Sequence, residues 1–270
     1  MTTRFRSTFH DDSIRGSTGA FVAASVAACL ATLALAGPPL ETDDPETLDK
    51  GKFELNTAYT MQRTARDAAG VRTSDQEAPL FDLAFGFAEG IQLKFEMPLR
   101  VLAETGAPTQ VGIGDASFGS KIRLLREDEA SFALSIYPAV GIPFGNASDG
   151  LGTGSTSVTL PVEIGRHFLD DALFIYGDLG FGEEFADNEA DGWFMGIAAE
   201  FTVVDGVTLC GELRREIGVG LSTDDSFYNA GVKLRITDSA SFIGAAGQSF
   251  NPTVESGAQL RVYAGMQWTF

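Results

Sequence analysis

The chain has 270 residues, 44% of them hydrophobic, with 21 Phe, 31 Gly and a mean hydropathy of +0.05. That is too apolar for intrinsic disorder, and a net charge of −18 argues against a nucleic-acid partner, which needs a basic footprint. Beyond the N-terminal region no apolar run approaches the roughly 18 residues that a membrane-crossing helix requires.

Residues 1–36 read as a cleaved secretion signal. Arg4, Arg6 and Arg15 precede the apolar run GAFVAASVAACLATLALA, and Ala34-Leu35-Ala36 before Gly37 matches the small-x-small cleavage pattern. The basic region is long, so translation could start downstream of Met1. A membrane-anchoring helix is the alternative, and Val26-Ala27-Ala28-Cys29 also resembles a lipoprotein cleavage site. If Cys29 leaves with the signal, Cys210 is the remaining cysteine and no internal disulfide can form.

Residues 37–50 are expected to be a periplasmic segment preceding a barrel over 51–270. Within the segment, Asp43, Asp44 and Pro45 favour a turn leading into the first strand. A gate or plug at the barrel mouth is the functional alternative.

From Gly51 onward the dominant period is two, which predicts strands. Twelve segments alternate: 51–62, 77–88, 91–102, 114–125, 130–143, 155–165, 172–183, 192–202, 207–217, 226–236, 241–250 and 257–270. In the third, Ile91, Leu93, Phe95, Met97 and Leu99 oppose Gln92, Lys94, Glu96, Pro98 and Arg100. The eleventh, SFIGAAGQSF, alternates least. Connections alternate too. Those after even-numbered segments are short, such as Glu89-Gly90. Those after odd-numbered segments, 63–76, 103–113, 144–154, 184–191, 218–225 and 251–256, are mostly longer and rich in Gly, Asp, Asn, Ser and Thr.

Two architectures accept twelve amphipathic strands. A sandwich would bury the apolar faces between sheets; a transmembrane barrel would turn them toward lipid. Ala84, Gly86, Gly119, Ala133, Ala139 and Gly141 interrupt the charged faces with small residues, as a crowded barrel interior requires. The apolar faces carry no mid-strand charge, and strands of about 9–11 residues tilted near 45° cross the hydrocarbon layer. The prediction is an all-β, antiparallel, up-and-down barrel of about twelve strands, with both ends and the short turns on the periplasmic side. Its lumen would hold Glu54, Lys94, Glu96, Arg100, Lys121, Arg123, Glu163, Glu212, Arg214, Lys233, Arg235 and Arg261. Charges inside a membrane protein must be paired or wet, so they either brace the barrel or form a solute-selecting eyelet.

The last segment ends on alternating Leu260, Val262, Met266, Trp268 and Phe270. It resembles the C-terminal insertion signal of outer-membrane barrels, which implies the barrel-assembly machinery as a partner during biogenesis.

Other motifs carry less chemistry. GDASFGSK at 114–121 places Ser120 before Lys121 and alternates like a strand, unlike a phosphate loop. His167 could serve a Ser-His hydrolase, but it lies in a short turn on the periplasmic side. One histidine and one cysteine, His167 and Cys210, do not make a zinc set. The acidic stretches 183–191 and 222–225 lack the ordered spacing of a calcium loop. No cofactor is expected.

GPPLETDDPETLDKGKFELNTAY at 37–59 resembles the start of the "MetA-pathway of phenol degradation" family of outer-membrane transporters. Thr42, Asp43, Asp44, Pro45, Gly51, Phe53, Glu54 and Asn56 occupy its pattern. Gly112, Gly114, Asp115 and Lys121 resemble a second feature of that family, and YPAVGIPFG at 137–145 a third. The resemblance implies an outer-membrane barrel passing small, often aromatic, compounds. A barrel with an occluded lumen, structural or surface-binding, is the alternative function, and an outer-membrane hydrolase a further one.

Overall fold

A computed structural model describes residues 37–185, 191–218, 224–250 and 257–270. The predicted signal at 1–36, with Cys29, lies outside them, as do parts of the loops at 184–191 and 218–225 and all of the loop at 251–256.

The strands begin with β1 (Phe53–Arg63), β2 (Thr73–Ala88), β3 (Ile91–Glu104), β4 (Gln110–Ile113) and β5 (Ala116–Leu125). Next come β6 (Ala133–Ile136), β7 (Ala139–Ile142), β8 (Ser157–Phe168), β9 (Leu173–Glu184) and β10 (Gly192–Val204). The set closes with β11 (Val207–Gly218), β12 (Asp224–Thr237), β13 (Ala240–Ser249) and β14 (Leu260–Thr269). Each pairs antiparallel with its neighbours, and β1 pairs with β14 from Glu54↔Thr269 to Arg63↔Leu260, so the sheet closes on itself. Strands β4 and β5 form one wall strand, both pairing with β3, and β6 and β7 another, both pairing with β8. The barrel thus has twelve spans, as the alternation predicts.

Two spans are broken, one at the start of the predicted fourth segment and one within the predicted fifth. The first breaks at Gly114–Asp115, the second at Tyr137–Pro138. Pro138 has no N–H to give the ladder, although its carbonyl still accepts from Ser120. The loop expected at 103–113 is shorter than predicted, because β3 runs to Glu104 and β4 begins at Gln110. The turns Glu89-Gly90 and Asp205-Gly206 place their glycines at φ +70° and +80°, backbone that L-residues adopt only with strain.

The outside of the barrel is apolar. Phe81, Phe118, Leu160, Ile197, Leu209 and Leu213 all stand more than a third exposed on it, and among the described residues no second protein layer covers them. Arg166 and Arg215 face outward only near strand ends. Such a surface is stable against hydrocarbon and not against water, so the barrel spans a membrane. Leu213→Arg, placing a charge in this belt, is expected to lower stability by about 2–4 kcal/mol; urea unfolding in lipid vesicles measures it.

The inner face reverses the polarity. Asn56, Asp82, Lys94, Arg100, Lys121, Glu163, Glu212 and Arg261 are all buried. A few inward residues break the pattern: Ile243 in β13, Phe194 in β10 and Phe227 in β12. The two phenylalanines lie beneath arginines, Phe194 4.7 Å from the Arg214 guanidinium and Phe227 3.8 Å from that of Arg261. Cation–π attraction gives an aromatic ring a reason to face a charged interior.

Candidate functional site: an occupied lumen

Residues 37–50 do not stop at the barrel mouth. Near the short-turn end Gly51 N–H donates to the Gly86 carbonyl (2.7 Å) and Leu48 N–H to Gln92 Oε1 (2.8 Å). From there the preceding residues lie inside the barrel. Asp43 and Asp44 do form a turn, with Asp44 N–H bound to Asp43 Oδ1 (2.9 Å) and Glu46 N–H to Asp44 Oδ1 (2.8 Å). That turn sits within the lumen, with Thr42, Asp43 and Pro45 buried.

Three anchors hold it. Lys121 Nζ is 2.9 Å from Asp43 Oδ1 and 3.3 Å from Glu163 Oε2, and also donates to the Asp44 carbonyl. Glu212 takes the N–H groups of Glu41 (2.9 Å) and Thr42 (2.7 Å), one on each carboxylate oxygen. Arg261 bridges Glu41 and Asp225, each at 2.8 Å. Leu40 fills an apolar pocket of the inner wall with Tyr176, Ala198 and Cys210. Missing side chains make the room: a Cβ at Gly196 would overlap the Thr42 hydroxyl, and one at Gly86 the Asp49 carbonyl.

The remaining predicted lumen residues pair with the wall. Lys94 lies 3.2 Å from Asp82, which also accepts from Asn56; Asn56 reaches Glu54 as well. Glu96 is buried opposite Asp82 in the ladder. Arg100 chelates Asp75, Arg214 bonds Asp178 (2.8 Å) and Glu216 (3.2 Å), and Lys233 bonds Glu200 (2.7 Å). Arg123 and Arg235 lie apart from the constriction, paired with Glu89 and Asp205 of the short turns.

The three sequence motifs meet in this wall. Asp43 from the first binds Lys121 from the second, whose ammonium lies 5.7 Å from the Tyr137 ring of the third. At the β4–β5 break, Asp115 accepts from Gly145 N–H (2.9 Å), Thr153 N–H (2.7 Å) and the Thr153 hydroxyl (2.9 Å). One carboxylate thereby clamps both ends of loop 145–153. The loop buries Leu151 against Gly112, where a Cβ would come within 2.8 Å of its Cδ1. Asp115→Ala leaves two backbone N–H groups without their acceptor, at about 1–3 kcal/mol each if they stay dry. Faster hydrogen exchange confined to residues 145–153 is the expected result.

His167 lies at the short-turn end, stacked on Phe174 at 4.0 Å, with its Nδ1 2.8 Å from Glu127. Burial works against the Glu127 carboxylate, but hydrogen bonds from His167 outweigh it and lower its pKa. Among the described residues no group of three or more His, Cys, Asp or Glu is placed to hold a metal ion.

Sequence reasoning missed Glu41, Asp75, Asp178, Glu200 and Asp225, acidic partners of the cations it found. Strand parity places Asp178 inside; Glu41 lies on a segment without periodicity.

No protein-family model and no curated protein matches the chain. Solved structures do. An outer-membrane channel from Pseudomonas putida F1 has a TM-score of 0.65 at 16% identity, covering 84% of this chain and 98% of that one. The KdgM porin gives 0.55 at 12% identity, covering 80% and 99%. The NanC porin gives 0.53 at 5% identity, covering 80% and 98%. At these identities the likeness concerns the fold, an outer-membrane-type barrel.

Proposed function

We propose that the protein is an outer-membrane channel for a small solute, closed in the described state by its own residues 37–49, and that it is not an enzyme. The observation carrying this reading is the ion-paired segment: a barrel needing only mechanical bracing could fill its lumen with wall side chains. This one fills it with a peptide held through Lys121, Glu212 and Arg261. Displacing that segment would open a polar path without disturbing the β-ladder.

Charge narrows the solute class. A net charge of −18 disfavours the approach of anions. We assign it neutral or cationic solutes, including small aromatic ones, in keeping with the resemblance of Thr42–Pro45, Gly112–Lys121 and Tyr137–Gly145 to the MetA-pathway family. The eyelet would comprise Lys121, Glu163, Glu212, Arg214 and Arg261, with the other paired charges bracing the wall. Residues 1–36 would direct export, and Leu260, Val262, Met266, Trp268 and Phe270 would be read by the barrel-assembly machinery.

Planar-bilayer recording and liposome uptake test the reading. Low, flickering, cation-preferring conductance is expected, with uptake of neutral aromatics exceeding that of aromatic carboxylates. If neither the intact protein nor a variant lacking residues 37–45 gives channels or uptake, the lumen serves a structural role instead.

A further inference from the structure

The Gly37 carbonyl accepts from Leu40 N–H (3.3 Å), a tight turn that folds residue 37 back over the Asp43–Asp44 turn. A Cβ built on Gly37 would lie 2.8 Å from Asp43 Oδ1 and 3.4 Å from Asp44 Oδ2. Residue 37 therefore lies beside two carboxylates inside the barrel. Asp178 adds a third, receiving Asp43 N–H at 3.4 Å, and Glu163 a fourth across Lys121. Of these four acids, Asp43 and Glu163 ion-pair with the Lys121 ammonium and Asp178 with the Arg214 guanidinium. The place holds more negative than positive charge, and it sits where the sequence carries Ala34-Leu35-Ala36 before Gly37.

We propose that cleavage between Ala36 and Gly37 creates an α-ammonium that binds these carboxylates, so that export processing itself completes the occluding segment. The step is a hydrolysis by a signal peptidase. Water adds across the Ala36–Gly37 peptide bond, Ala36 leaves with a carboxylate, and the amine released on Gly37 takes up a proton. An α-amino group ordinarily titrates near ~8, so it is a cation at neutral pH. The α-ammonium brings a full positive charge and three N–H donors to Asp43 and Asp44, where the uncleaved chain could offer one uncharged amide N–H. The uncleaved chain would also have to lead 36 more residues out of a lumen already packed around Leu40 and Thr42. On this account the precursor docks its segment poorly and the mature chain docks it well.

The proposal does not depend on what the lumen passes, and its test needs no transport assay. The full-length protein is expressed with its own signal, purified from membranes, and its N-terminus read by mass spectrometry. The folded protein is then acylated with an amine-reactive ester. Gly37 is expected as the first residue, with its amine acylated at least about tenfold more slowly than in urea, equivalent to about 1.4 kcal/mol of docking. The exposed Lys50 and Lys52 serve as internal references. The double variant Asp43→Asn, Asp44→Asn should lose that protection. Should it fail to fold, a chain with Ser-Gly-Ser inserted between Ala36 and Gly37 replaces it, its displaced amine expected to react freely. A mature chain beginning elsewhere overturns the proposal. So does a Gly37 amine that reacts as fast folded as unfolded, or protection that survives the variants.

Discussion

Lys121→Met is expected to convert a nearly silent barrel into a conducting one. Lys121 is the only ammonium that both Asp43 and Glu163 reach directly in the described lumen. Removing it leaves two buried carboxylates without the ammonium that pairs with both. Breaking one buried ion pair costs about 3–5 kcal/mol, because the surviving charge remains desolvated. The cheapest relief is for Asp43 to withdraw with its segment and let water into the lumen. If most of that cost falls on docking, the closed population falls by a factor on the order of 100 to 1,000, since each 1.4 kcal/mol is tenfold. Asp43→Asn should act in the same direction more weakly, because it leaves Lys121 paired with Glu163. Single-channel recording of both variants decides the matter. Conductance unchanged in each, with the folded barrel verified by its β-sheet circular dichroism, would disprove gating by this pair.

Gly196→Val should open the channel by steric means. Gly196 lies in β10 with ordinary extended backbone and pairs with Asp178 and Arg214 across the ladder. A strand accepts valine there readily. The Thr42 side chain does not, because the new Cβ would lie 3.0 Å from Thr42 Cβ and overlap its hydroxyl. Overpacking costs about 1–3 kcal/mol, and losing the segment relieves the tightest contacts, leaving only the Asp178 carboxylate of the wall, 3.0 Å from the new Cβ, to shift. The expected signature is increased conductance at little changed barrel stability. Lys121→Met, by contrast, should also perturb the wall at Glu163. A Gly196→Val protein with intact closure would place the seal elsewhere than Thr42.

The strands were legible because one physical cause, lipid outside and charge inside, imposes a period of two on nearly every span. Segments such as 91–102 and 226–236 carry that alternation without interruption, and they are strands within a few residues of their predicted limits. The failures have equally local causes. Asp115 is polar on a polar face, so nothing in the pattern distinguishes a ladder residue from one that leaves the ladder to clamp a loop. Pro138 did carry a warning, since a missing N–H weakens any interior strand. Phe194 and Phe227 violate the inside–outside rule because each serves as a platform for an arginine, on the adjacent strand for Phe194 and two strands away for Phe227. The position of Thr42–Pro45 could not be read from periodicity at all. It depends on single charges contributed by β5, β11 and β14, brought together only when the barrel closes.

The packing of Leu40 against Cys210 gives the molecule a chemical reporter of its own state. If residues 1–36 are removed as a signal, that sulfur is the chain's one thiol. While the leucine covers it, a water-soluble maleimide diffusing along the bore finds nothing to alkylate. Alkylation therefore counts, molecule by molecule, how often the inner passage stands vacant.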